Sequence, residues 1–143
     1  MNERRAPEIK AWVYALPGGF TAYAGKTDAD NDRLSLKFAR ANDVWFHVKG
    51  MPGSHVILRA GDPDAGEFTS GDGASDQGRE PDRDTLRAAA AIAAYHSKAR
   101  NGGTVAVNWT LAKNVRKPKG AKPGTVTISR ESVIKVKPAL PTS

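Results

Sequence analysis

The chain has 143 residues, no cysteine and a formal net charge of +7 at pH 7. This length predicts one domain, and the lack of cysteine excludes disulfides and thiolate metal sites. The sequence contains no apolar run long enough to span a bilayer and no hydrophobic signal core near its N-terminus. We therefore expect a cytoplasmic protein without a membrane partner.

The positive charge is concentrated in the C-terminal third. Residues 98–137 carry ten basic side chains and one acidic one, whereas residues 62–84 carry eight acidic side chains and two basic ones. Such a concentration of basic residues is expected where a surface meets a polyanion, and a generic solvated basic surface is the alternative.

The first forty residues predict three segments. Residues 1–10 are polar and expected to be loose, and residues 12–25 form a hairpin whose arms flank the turn Pro17-Gly18-Gly19. Residues 28–40 follow as a short helix, although their apolar positions also fit a period of two.

Residues 43–59 predict two buried strands on either side of a turn. Alternation along 44–49 sends Trp45, His47 and Lys49 to one face and the apolar residues between them to the other. An aromatic ring, an imidazole and an ammonium group on one exposed face are typical of a surface that stacks a base and pairs with a phosphate. A half-exposed sheet that carries these side chains by chance is the alternative.

The second half of the chain predicts one long helix and three strands. The helix is rich in alanine and ends before Asn101-Gly102-Gly103. Pro118 and Pro123 restrain a basic loop, so its charges would lose little entropy on binding. In order, the segments are an acidic flexible loop at 61–82, the helix at 84–100, a strand at 104–110, the basic loop at 111–124, a closing pair of strands at 125–129 and 132–136, and a frayed end at 138–143.

Together these elements predict an α+β domain over residues 11–137. Its sheet is expected to be mostly antiparallel, with one long helix and one short helix packed on it.

Hydrolytic chemistry is the main alternative to a binding surface. Neighbours on one strand point to opposite faces, so Ser54 cannot readily use His55 as its base, and the sequence has no nucleophile elbow. Two histidines without compact ligand spacing do not indicate a metal site, and no glycine-rich phosphate-binding motif is present. We expect no enzyme, cofactor or metal. A nuclease or phosphoesterase that uses His47, His55 and Asp43 is the alternative.

Several blocks of the sequence resemble the NFACT-R domain, the RNA-binding module of the NFACT proteins, which act in ribosome-associated quality control. The resemblance runs from about Tyr14 to Val136. Its blocks are Asn31-Asp32, Asp43-Val-Trp-Phe-His47, Pro52-Gly-Ser-His-Val56, Ala89 to Arg100, and Val115-Arg-Lys-Pro-Lys-Gly-Ala-Lys-Pro-Gly124. The family's other domains have no counterpart in this sequence, so we expect a stand-alone domain without the family's chain-elongation activity. The resemblance implies binding to tRNA or ribosomal RNA, with the large ribosomal subunit as a further partner.

The resemblance also assigns roles to individual residues. Pro52 and Gly53 are expected to fix a turn, and Asp43 to orient His47 or a neighbouring backbone amide. Residue chemistry adds Lys49 and Arg59 as phosphate contacts. The full set of expected RNA-binding residues is Trp45, His47, Lys49, Ser54, His55, Arg59, Lys113, Arg116, Lys117, Lys119 and Lys122. A protein adaptor that docks on the ribosome is a second alternative.

Overall fold

The computed structural model of the chain is described over residues 9–61 and 80–141. Most of the predicted acidic loop lies outside these residues, as do the first eight residues and the last two. The described strands are β1 (Ala11–Leu16), β2 (Phe20–Gly25), β3 (Val44–Val48), β4 (Val56–Ala60), β5 (Val105–Leu111), β6 (Val115–Arg116), β7 (Thr127–Ile128) and β8 (Ser132–Val136). The α-helices are α1 (Asp28–Arg33) and α2 (Arg83–Tyr95).

Six strands form one sheet in the order β1-β2-β4-β3-β5-β8, and β6 pairs with β7 in a separate two-stranded sheet. Every described pairing is antiparallel. The predicted α+β class and antiparallel sheet are therefore confirmed.

The predicted closing pair of strands is wrong. Val115 pairs with Ile128 in the small sheet, whereas β8 joins the edge of the main sheet, where Val133 lies opposite Asn108. Arg130 separates the two segments with a φ of 56°, in the left-handed region. This turn directs the two strands to different partners.

Helix α2 is shorter than the predicted 84–100. Asp82 caps it by accepting a hydrogen bond from the backbone N–H of Thr85, and its regular structure ends at Tyr95. The chain then leaves the helix because it hydrogen-bonds to the turn before β4: Ser54 N donates to His96 O at 2.9 Å, and Lys98 N donates to Pro52 O at 3.1 Å. No helix in the described part of the chain is both long and apolar enough to cross a membrane.

The predicted helix over 28–40 has two parts. Helix α1 ends at Arg33, and a π-helical turn continues from Leu34 to Phe38. The side chain of Thr27 caps α1 by accepting from Asp30 N. The side chains of Asn31 and Asp32 do not cap the helix, and both are available for other contacts.

Both faces of the main sheet are covered. Helix α2 packs on one face, where Phe46, Val56 and Val107 are fully buried. On the other face Leu34 and Val115 pack against a second apolar cluster that includes Trp45 and Ile57. The sheet is thus a central layer, with α2 on one side and α1, the π-helical turn and the β6–β7 sheet on the other.

The ends of the chain make specific contacts where the structure describes them. Lys10 N donates to Asp30 Oδ1 at 3.0 Å, and Ala139 N donates to Ala91 O at 3.2 Å. Leu140 packs against the cluster beneath α2. Residues 138–141 therefore pack on the body of the protein, whereas the sequence predicts a frayed end.

We predict that Gly53→Ala lowers the free energy of unfolding by about 1 to 3 kcal/mol, the usual cost of forcing an atom into a packed site. A Cβ at Gly53 would lie 2.7 Å from the Cβ of Ser97, closer than packed carbons approach. Urea unfolding followed by circular dichroism measures the change. Met51→Ala, at an exposed position of the same turn, is the control, and equal stability of the two variants would show that the close approach is unimportant.

Candidate nucleic-acid interface

Trp45 lies in the protein interior. Its side chain is 2% exposed and packs in the second apolar cluster with Tyr23, Leu34 and Ile57. The period of two correctly separates Trp45 from Phe46, but the expected exposure of Trp45 is wrong because α1 and the π-helical turn cover that face. A base cannot stack on this indole without displacing its neighbours.

A buried hydrogen-bond chain connects Trp45 to His55. Trp45 Nε1 donates to Ser35 Oγ at 2.9 Å, and the same hydroxyl lies 2.8 Å from His55 Nδ1. Because the hydroxyl already accepts from the indole, its own proton is free to donate to Nδ1. The backbone N–H of His55 donates to Asn31 Oδ1 at 3.0 Å. His55 is 2% exposed, so this chain satisfies polar groups inside the protein.

The two histidines of the central stretch are close together and neutral at pH 7. Their ring centroids are 5.3 Å apart, with the rings nearly perpendicular. Burial, followed by the neighbouring His47, lowers the pKa of His55 to about 4. Burial also lowers the pKa of His47, and a hydrogen bond with the Gly53 backbone opposes that shift. Neither ring therefore supplies positive charge for a phosphate.

Arg59 is also part of the interior. Its Nε and Nη2 donate to Asp43 Oδ2 at 3.0 and 2.7 Å, Nη2 also donates to Phe38 O, and the guanidinium lies 4.0 Å from the Phe38 ring centroid. Asp43 also accepts a hydrogen bond from Arg40 N at 2.9 Å. Exposure of Arg59 to phosphates, expected from the sequence, is wrong because this buried ion pair occupies the guanidinium.

The turn between β3 and β4 is tied to the segment that follows α2. Pro52 and Gly53 pair with the segment after α2, where Gly53 forms a β-bridge with Ser97. Ser54 is buried, and its Oγ donates to Gly25 O at 2.6 Å. Its hydroxyl is therefore part of the turn and does not lie on the surface.

The basic loop is anchored to α1 by one carboxylate. Asp32 Oδ1 accepts from Gly124 N at 3.0 Å, and Asp32 Oδ2 lies 3.1 Å from Lys117 Nζ. Lys117 Nζ also donates to Thr125 O at 3.1 Å and to Lys122 O. Lys117 therefore holds residues 117–125 in shape, a role that differs from the phosphate contact expected for it.

The remaining expected cations are on the surface. The side chains of this group are exposed, and the described residues 9–61 and 80–141 offer them no ion pair. Lys113 and Arg116 precede the anchored segment, Lys119 and Lys122 lie within it, and Lys49 follows β3. We call this group the basic surface: Lys49, Lys113, Arg116, Lys119 and Lys122.

The predicted site residues thus separate into three groups. Four belong to the framework, namely Trp45, Ser54, His55 and Arg59. Lys117 holds the basic loop, and the basic surface and the half-buried His47 face the outside. Ser35 is not among the predicted site residues, although its polarity in an apolar segment is a signal, and Asp32 has a larger role than its position in the sequence indicates. The ion pair of Asp32 with Lys117 connects residues 85 positions apart and leaves no local pattern.

The arrangement gives no support to hydrolysis. Asp43 is paired with Arg59, and His55 is enclosed with Ser35. In the part of the chain that the structure describes, no three histidine or acidic side chains form a group that could hold a metal ion.

The chain is similar to known proteins over most of its length. The family model for the NFACT protein RNA binding domain matches residues 10–130. The protein named Rqc2 homolog RqcH is 36% identical over 126 residues in Bacillus subtilis and 33% identical over 138 residues in Streptococcus suis. These matches cover 88% and 96% of this chain but only 19% and 21% of the relatives, so the chain spans about a fifth of their length.

A solved structure has the same fold. The C-terminal part of the fibronectin/fibrinogen-binding protein from Streptococcus suis aligns with a TM-score of 0.73 and 30% sequence identity. The alignment covers 97% of this chain and 49% of that structure.

We predict that stability falls as the pH drops from 6.5 toward 4, because the unfolded chain binds a proton at His55 that the folded chain excludes until its pKa of about 4. Between these pH values, His55 lowers the free energy of unfolding by roughly 1.4 kcal/mol for each pH unit. The loss amounts to about 2 kcal/mol at pH 5. Urea unfolding of the wild type and of His55→Asn at a series of pH values measures it. His96, with a similarly low pKa, titrates in both proteins, so equal pH dependence of the two would contradict the assignment to His55.

Proposed function

The chain belongs to the NFACT RNA-binding domain family, and from that membership we propose that it binds structured RNA through the basic surface. The RNA is tRNA or ribosomal RNA, and the setting is ribosome-associated quality control in the cytoplasm, with the large ribosomal subunit as a partner. The relatives named Rqc2 homolog RqcH support this setting.

The observation that carries the proposal is the anchoring of the basic loop by Asp32. Lys117 and Gly124 are tied to α1, and within the loop Ala121 N donates to Pro118 O while Thr125 N donates to Lys122 O, each at 3.0 Å. Lys119 and Lys122 are therefore displayed on backbone that is already ordered. Preorganised cations lose less conformational entropy when they meet a phosphate than cations on a flexible tail do.

The charge of this surface comes from lysine and arginine alone. His47 is neutral at pH 7 because burial lowers its pKa, so it contributes a hydrogen bond and no charge. Phosphate contacts made by point charges position an RNA without reading its sequence. We therefore propose recognition of backbone shape, with little discrimination among base sequences.

Neither rival function has a specific observation in its favour. A nuclease would need Asp43 and His55 at an accessible site, and both side chains are engaged inside the protein. A protein adaptor on the ribosome would not need the exposed lysines, so reversal of Lys119 and Lys122 to glutamate separates it from an RNA-binding module.

We predict that affinity for a tRNA transcript falls steeply with salt, with a log–log slope of about −3 to −5 for five phosphate contacts. Replacing Lys119 and Lys122 together by glutamine makes the slope shallower by about 1.5 to 2, since each lost contact removes about 0.7 to 0.9. Fluorescence anisotropy across a salt series measures both slopes. Arg83→Gln, on α2 at the opposite face, is the control, and a slope near zero for the wild type would refute the proposal.

We predict that Asp32→Asn weakens RNA binding about two- to fivefold. Without the anchor, a few side chains of the loop must lose conformational entropy when RNA binds, and the cost of ordering them is on this scale. The change removes a negative charge near the RNA, which by itself would strengthen binding. Preorganisation and electrostatics thus predict opposite signs. Glu131→Gln, which removes an exposed carboxylate, is the matched control in the same anisotropy assay, and tighter binding by both variants would exclude the anchoring role.

A further inference from the structure

A cleft of about 310 Å³ lies at the start of α1, where its lining residue Asp28 approaches Gly124 at the end of the basic loop. Four parts of the chain line it: the start of β1, the stretch 25–31 from the end of β2 into α1, the turn at 52–54, and the segment 96–100 after α2. The hydrogen bonds that fix the turn to that segment also hold two walls of the cleft together. Its volume is at the lower end of the range for small-ligand sites.

Trp12 provides an aromatic surface at this cleft. The indole is 37% exposed, and it stacks on His96 with ring centroids 4.0 Å apart and an interplanar angle of 7°. Tyr14 Oη lies 2.7 Å from His96 Nε2 and holds the imidazole in place. Burial, followed by the charge of Arg100, lowers the pKa of His96 to about 4. The pair is thus an uncharged, preorganised aromatic stack at neutral pH.

Cations surround this stack. Lys26 Nζ is 5.3 Å from the centroid of the Trp12 ring, and Lys98 and Arg100 also line the cleft. Arg100 is held in position, since its Nε donates to Tyr95 O at 2.7 Å and its guanidinium lies 4.0 Å from the Tyr95 ring centroid. Asp28 is the one carboxylate among the described lining residues, so basic side chains outnumber acidic ones in the cleft.

An exposed tryptophan beside basic side chains is the combination that binds single-stranded nucleic acid, because every base has a face that can stack and every nucleotide has a phosphate. A duplex end offers no splayed base to such a cleft. Asp28 also connects this site to the basic loop, since a Cβ at Gly124 would lie 2.9 Å from its Oδ1. One RNA strand can therefore reach both places.

We propose that this cleft binds one unpaired nucleotide of an RNA strand. The base stacks on the indole face of Trp12 opposite His96, and the flexible Lys26 side chain, which lies over the ring in the free protein, moves aside to hold the phosphate together with Lys98. The inference rests on the proposed function and adds a preference for an unpaired segment next to a structured region. The basic surface holds phosphates of any RNA, whereas the cleft selects strands with a free base.

The test compares an unstructured RNA strand of about 12 nucleotides with a blunt duplex of the same length. Trp12→Ala should weaken binding of the single strand about tenfold, the scale of one base–aromatic stack, and change binding of the duplex by less than about twofold. Val13→Ala, at an exposed neighbour on the opposite face of β1, is the control for β1. The double variant Lys26→Gln and Lys98→Gln leaves the stack intact and should also weaken single-strand binding selectively.

The outcomes separate this inference from the proposed function. If the wild type binds neither RNA, the proposed function fails. If Lys119→Gln and Lys122→Gln weaken both RNAs while Trp12→Ala weakens neither, or both equally, only the cleft inference is overturned. A titration with AMP and UMP, monitored by tryptophan fluorescence, tests whether the cleft binds a free mononucleotide or a nucleotide of an RNA strand. Binding of either mononucleotide as tight as that of the strand would overturn the assignment to RNA.

Discussion

The carboxylate of Asp32 connects the core of this domain to its charged surface. One oxygen accepts from Gly124 N and the other pairs with Lys117, so a single side chain on α1 fixes both ends of a proline-containing loop. The short β6–β7 pairing and a hydrogen bond between the His55 ring and the Gly124 backbone also hold this part of the chain. The surface cations depend on this anchor because a charge on a disordered loop must lose more conformational entropy when it binds.

The central stretch is a framework for that anchor. Trp45, Ser35 and His55 form a buried polar chain, and Asn31 connects it to the first turn of the helix that carries Asp32. Buried polar groups need partners, and leaving one unsatisfied costs about 1 to 3 kcal/mol. The indole and imidazole that look like a ligand platform in the sequence therefore position α1 over the sheet, and α1 positions the loop.

Local patterns predicted the hairpin, the paired central strands and β5, because turn residues and alternation are properties of neighbouring residues. They could not predict that Trp45 is buried, since a period of two assigns a side of the sheet but not what covers that side. The end of α2 depends on its contact with Pro52, and the course of β7 and β8 depends on one turn at Arg130. The stack of Trp12 on His96 leaves no local pattern either, because the two residues lie on different elements.

Nuclear magnetic resonance of the labelled protein, titrated with a tRNA transcript, tests the division between framework and surface most directly. The three tryptophans give separate indole N–H signals, so Trp45 reports on the framework while the backbone amides of residues 113–124 report on the surface. We expect the amides of 113–124 to shift during the titration and the indole signal of Trp45 to stay in place. A large shift of the Trp45 indole, with residues 113–124 unaffected, would contradict it.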